Sequence, residues 1–372
     1  MKRNLLYTFL VAILTLTPLT YTQAQYPGWT IYSSSDSPGL DTTSSIFVDN
    51  QNNFFFFSIH GVSKFDGQSW SVYNSSNSPL QNWSFVNSIE QVADTMYFGT
   101  EWQGVYKFHN NTWEQITTYH TRALKKDQLN NLWIGTDGYG LLKFNAGNIT
   151  IYNKYNSPLR SNRITDLEID SQQNLWITMI DSVQYNNYAG IAKFDGTNWT
   201  VYHSQNSGLI NENIYQVAID GDGNCWFGAD SLYLYKFDLL NWTYVNIEQW
   251  SSNWVTSLDI DSSNNVWVGV YYYGSGSGIY MYDGISFTNY REDNSGLPNN
   301  TINVIKVDDE NNKWVGTWNK LAKYDNTPRL FLLGPNGGEN LRSLSNFNIT
   351  WNYQFVDQIN IEFSSDGGNS WN

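Results

Sequence analysis

The amino-acid sequence predicts an all-β protein: a seven-bladed β-propeller closed by an N-terminal strand, followed by the start of a β-sandwich domain. Three observations predict it. A segment repeats seven times, and its central aromatic residue recurs at spacings of 36 to 50 residues, which is the period of propeller blades. Within each copy, apolar and polar residues alternate, which is the period of a strand. Aromatic residues make up 17% of the 372 residues and charged residues 15%, so short strands can bury a large core.

The central aromatic stands at Phe55, Tyr97, Trp133, Trp176, Trp226, Trp267 and Trp314. The first strand of each copy alternates, as in Leu167 and Ile169 or Leu258 and Ile260. It ends at an Asp and a polar turn, such as Gln172-Gln173-Asn174, because Asn and Asp tolerate left-handed backbone and cap turns. The second strand carries the Trp and often Gly-Thr, as in Trp133-Ile-Gly-Thr136. The third ends in Lys-aromatic at Lys64, Lys107, Lys143, Lys193, Lys236 and Lys323, with Met281-Tyr282 as the exception. The fourth carries Trp70, Trp113, Ile149, Trp199, Trp242 or Phe287. Its remaining copy, Trp29-Thr-Ile-Tyr32, precedes all the others, and none follows Asp325. Trp29 to Tyr32 is therefore expected to complete the last blade, which removes an open sheet edge.

The pattern Asp-x-x-x-Asn-x-Trp-x-Gly-Thr, followed by Gly-x-x-Lys-Phe-Asp, resembles the two-component regulator propeller repeats over residues 27 to 326. Phe55 and Tyr97 depart from its Trp. The resemblance implies a secreted or extracytoplasmic protein of a Bacteroidetes-type bacterium. In the sensor members the propeller lies outside the cell, and a kinase follows a membrane helix.

The two ends read differently. Lys2 and Arg3, the apolar run Leu5 to Leu16, Pro18 and the small residues before Gln25 predict a cleaved signal peptide over 1–24. The run is shorter than the roughly 20 residues a membrane span needs. Cleavage would take the net charge from −14 to −16, since two basic residues and no acid leave. The propeller is expected over 25–327. From Pro328 to the last residue, Leu330 to Leu333, Ile349-Thr-Trp351 and Ile359 to Ser364 resemble the opening half of an immunoglobulin-like or fibronectin-like module. A full sandwich needs ~100 residues, so this one is expected to be truncated, and a missing sorting segment would fit type IX secretion. Ser364 to Trp371 matches the Asp-box hairpin of sialidases, which is structural there.

Composition excludes several functions. A net charge of −14 opposes binding to nucleic acid or anionic membranes. Cys225 is the single cysteine, so no intramolecular disulfide forms, and a buried inert thiol is expected. His60, His109, His120 and His203 fall at different positions of the repeat, and no metal set follows. No cofactor motif is present. Asp220-Gly-Asp222-Gly-Asn224 looks like a calcium loop but lacks the distant Glu and occupies the repeated turn, so it is expected to serve the backbone.

Strand direction places the loops after strands two and four on one face, and these loops vary while the opposite turns repeat. That face is the expected ligand site. Its candidate residues are Trp83, Trp102, Tyr139, Arg160, Arg163, Tyr185, Tyr188, Trp254, Tyr271, Tyr272, Tyr273 and Trp318. Aromatic faces there would stack on sugars or apolar groups, and polar residues would orient them. The expected function is binding or scaffolding of a glycan, peptide or protein. A lyase or glycosidase would need facing carboxylates, for which Asp137 and Asp181 are the candidates. A sensory input module acting with a separate kinase is the third reading.

Overall fold

Each repeat folds into a four-stranded antiparallel sheet, and seven such sheets stand among the described residues. The computed structural model describes residues 28–325 except 38–39, 41, 59, 81–84, 182–188, 231–232, 248–253 and 272–275, together with 329–334 and 350–354. In blade four the order is Arg163–Ile169, Leu175–Ile180, Gly190–Phe194 and Trp199–Tyr202 from the centre outward. The innermost strands of the seven blades are Ser45–Val48, Val86–Val92, Thr121–Lys126, Arg163–Ile169, Ile214–Ile219, Trp254–Ile260 and Ile302–Val307. Each touches the next around the ring, and the last touches the first. The outer strand of blade seven is Trp29–Tyr32, which pairs with Leu321–Tyr324 and sets Trp29 opposite Tyr324.

The repeated residues form one hydrogen-bonded unit. In blade four, Asp170 Oδ1 accepts the backbone N–H of Asn174 at 2.8 Å, and Oδ2 accepts Trp176 Nε1 at 3.0 Å. Asp127, Asp220, Asp261 and Asp308 bind Trp133, Trp226, Trp267 and Trp314 in the same way, at 2.8 to 3.0 Å. The turn at Asp220 to Asn224 therefore does serve the backbone, with Asp220 accepting the N–H groups of Asp222 and Asn224. Above each indole lies a lysine, such as Lys193 at 5.3 Å from Trp176, an arrangement attractive to the ring quadrupole.

The core lies between blades rather than within them. Trp176, fully buried, packs on Phe227 and Phe237 of blade five at 5.7 and 5.8 Å. Burying roughly 200 Å² of indole at about 25 cal/mol per Å² contributes about 5 kcal/mol before entropy. Close approach explains the recurrent glycines. A Cβ on Gly135 would lie 2.8 Å from Ile164 of the next blade, and one on Gly140, at φ +91°, would lie 2.2 Å from the Tyr152 carbonyl.

Beyond the propeller, Arg329–Gly334 pairs antiparallel with Thr350–Gln354. The expected leader, the strand near Ile359 and the hairpin at Ser364 to Trp371 lie outside the described residues. Among the described residues no helix is long and apolar enough to cross a membrane.

Candidate functional site

A central channel of about 810 Å³ is lined by all seven innermost strands. An inner strand is a sheet edge, and its free N–H groups need acceptors. In blades three, five and seven, side chains of the preceding blade supply some of them, whereas Gln91, Leu167, Ile169 and Ile260 donate to the carboxylate of the residue before them. Ser88 and Glu90 of blade two accept from Leu124 and Lys126 of blade three at 3.0 and 3.3 Å. Asp166 of blade four accepts from Val217 of blade five at 3.0 Å. Ser257 and Asp259 of blade six accept from Ile305 and Val307 of blade seven at 2.9 and 2.8 Å. Two ion pairs cross the channel wall, Lys125 with Glu168 at 2.6 Å and Lys306 with Asp259 at 2.9 Å.

At the variable face, six inner strands begin with a one-residue bulge, at Asn87, Arg122, Thr165, Tyr215, Thr256 and Asn303. Bulges re-aim a side chain. Asn87, Thr165 and Asn303 reach a carbonyl of the following blade, at Thr121, Ile214 and Thr43. Arg122 instead meets Asp137 Oδ2 at 2.7 Å, and Arg163 holds Asp137 Oδ1 at 2.6 Å. The Nε of Arg122 is buried with no hydrogen-bond partner among the described residues. Burial opposes the Asp137 charge, but hydrogen bonds from Arg163 and Arg122 dominate and hold its carboxyl down at about 2.

His120 stands beside this cluster. Its ring lies 5.1 Å from Trp102, with Glu101 at 3.7 Å and Asp137 at 4.0 Å. Burial lowers its pKa despite those carboxylates, with Arg122 and Arg163 adding to the fall. The imidazole is therefore neutral at pH 7 and can donate and accept hydrogen bonds. Further round the mouth, Tyr215 hydrogen-bonds Asp230, and Arg122 and Arg163 act on the same phenol. Burial raises Asp230.

The structure brings some of the expected residues together. Trp102 is 68% exposed beside His120, and Tyr139, 52% exposed, lies 4.3 Å from Tyr119. Arg163 joins the same mouth through Asp137. Trp318 is 64% exposed in the corresponding loop of blade seven, its backbone N–H bonded to the Thr301 carbonyl. Other residues are occupied. Trp254 and Tyr271 stack on each other at 4.5 Å, and Arg160 binds the buried Glu212 at 3.1 Å. Trp83, Tyr185, Tyr188, Tyr272 and Tyr273 lie outside the described residues. Sequence reasoning missed Glu101, Arg122, Tyr215 and the channel. The signal was a cation at Arg122, where the other bulges carry Asn, Thr or Tyr.

No family model matches the chain, and no curated protein matches it. Solved structures do. The extracellular domain of the hybrid two-component system protein BT4673 from B. thetaiotaomicron aligns with 83% of this chain at 19% identity and a TM-score of 0.64. That of BT3049 aligns with 82% at 19% identity and a TM-score of 0.65. PorZ, a surface component of the type IX secretion system of Porphyromonas gingivalis, aligns with 81% at 16% identity and a TM-score of 0.57. The alignments span 41%, 43% and 45% of those chains, so this chain matches less than half of each. At these identities the likeness establishes the fold.

Proposed function

We propose that this chain is an extracytoplasmic recognition module that binds a glycan, peptide or protein on the variable face of its propeller. The propeller would occupy 25–327, fastened by Trp29 to Tyr32, after removal of a leader over 1–24. Residues 328–372 would begin an immunoglobulin-like or fibronectin-like sandwich. The observation that carries the reading is the mouth formed by Trp102, His120, Glu101 and the Arg122–Asp137–Arg163 bridge. An exposed indole beside a neutral imidazole and a carboxylate is suited to the apolar face and hydroxyls of a sugar.

A sensory role is the second reading, because two of the similar structures are extracellular domains of two-component systems. The propeller would then report ligand occupancy to a separate kinase. A glycosidase on this face would need a carboxyl that carries a proton near neutral pH. Asp137, held at about 2 by two arginines, does not supply one, whereas Asp230, which burial raises, stands at the same mouth.

A glycan-array screen of residues 25–327, beside a Trp102→Ala/Tyr139→Ala variant, tests the reading. Binding that the variant loses supports it. Binding that the variant keeps removes the site from this mouth, and a folded chain that binds no glycan directs the search to peptides.

A further inference from the structure

A second cavity, of about 580 Å³, opens between blades one and two on the opposite face. It arises where two repeats depart from the pattern. Blade one carries Phe55 where five blades carry Trp, and it keeps Asp49, Asn53 and Lys64 around that position. In blade two the turn between the first two strands is cut to Ala93 and Asp94, with Val92 opposite Thr95. No Asp-x-x-x-Asn loop therefore covers the opening. Phe55, Tyr73, Phe98 and Phe108 form its apolar wall.

The other blades show what this environment is built to hold. In five of them the Asp Oδ2 accepts an indole N–H as well as the Asn amide. Asp49 Oδ2 accepts the Asn53 amide at 2.7 Å, but Phe55 has no N–H to offer. The cation is also retained, with Lys64 Nζ at 5.4 Å from the Phe55 ring. The rim adds side-chain amides at Gln51, Gln91, Asn110 and Asn111, which can pair with peptide groups.

We infer that this cavity receives a tryptophan side chain from a partner polypeptide, whose indole lies along Phe55 and donates its N–H to Asp49. The segment carrying it runs over the amide rim. The site is independent of the variable face.

The test titrates N-acetyl-tryptophanamide, its 1-methyl analogue and N-acetyl-phenylalaninamide into the whole chain, followed by NMR of the probe. The tryptophan probe should bind saturably at roughly millimolar concentration or below. The two probes without an indole N–H should bind about 5-fold more weakly, the weight of one hydrogen bond. Phe55→Trp should fill the cavity and abolish binding, whereas Trp102→Ala/Tyr139→Ala should leave it unchanged. Absence of binding, equal binding of the three probes, or binding that survives F55W would overturn the inference. If F55W does not fold, discrimination among the three probes by the unaltered chain decides.

Discussion

Lys313 belongs to blade seven, yet its ammonium lies 5.0 Å from the ring of Trp267 in blade six and 3.2 Å from Asp261. Blade six has Met281 where the other third strands carry lysine. Lys313 supplies the missing cation from next door, and its side chain is only 1% exposed. Burial pushes the Asp261 carboxyl up, but hydrogen bonds from Trp267 and Asn265 and the charge of Lys313 bring it below its ordinary value.

Removing one partner of a buried pair leaves the other uncompensated. Lys313→Met should therefore cost ~3 to 5 kcal/mol in denaturant unfolding. Adding Met281→Lys should recover part of that loss. A cost below about 1 kcal/mol would show that the pair does not hold the seam between blades six and seven.

Asp166 predicts a pH dependence. Channel burial raises its carboxyl from 3.8 to about 7, against the Val217 and Leu167 N–H groups that lower it. The folded state then holds a proton that the unfolded state has released. The associated stability is complete below about 3.8 and is lost as pH rises to about 7. Asp166→Asn keeps an acceptor for Val217 and should flatten that part of the Tm profile. An unchanged slope would assign it to another group.

Cys225 should be silent to thiol reagents in the native protein. It is fully buried, and burial, with Asp170 nearby, pushes its thiol up to about 12. At pH 8 its labelling should proceed no faster than global unfolding. Cys225→Ser should cost ~1 to 3 kcal/mol, because a hydroxyl there is buried without an assured partner. Rapid labelling of folded protein would contradict the burial.

Trp29 should anchor the chain ends. It packs 4.9 Å from Tyr324 and meets Leu297 in the seam with blade six. Trp29→Ala should cost ~3 to 5 kcal/mol. A smaller loss, below about 1 kcal/mol, would mean that the ring does not depend on this strand for closure.

The blades were legible in the sequence because their defining contacts are local. Asp170 reaches Asn174 and Trp176, four and six residues on. The candidate face was legible only as a set of loops. Trp102 and Tyr139 remain exposed there, but Trp254 turns onto Tyr271, and Arg160 onto Glu212. The first pairing joins adjacent strands of blade six in one copy alone, and the second is set by where neighbouring blades meet, which no repeat period encodes. The Arg122–Asp137–Arg163 bridge was hidden for the same reason, since it joins an inner strand, a loop and the next blade. The channel was hidden because one ring position carries Glu90, Lys125, Glu168, Ala218, Asp259 and Lys306 in turn, without a shared chemistry.

The acceptors along the channel sit on blades two, four and six, and the amides they satisfy in a neighbouring blade belong to blades three, five and seven. Beneath the one-blade repeat runs a two-blade one, an acceptor blade followed by a receiver. The acceptor blades satisfy Gln91, Leu167, Ile169 and Ile260 from their own carboxylates, so a single copied receiver blade is the insertion that would orphan amides at the new joint, by standing beside another receiver. Inserting a doublet would not. The natural module for lengthening, shortening or re-engineering this ring is therefore a pair of blades, and blade one is the unpaired remainder that makes the number odd.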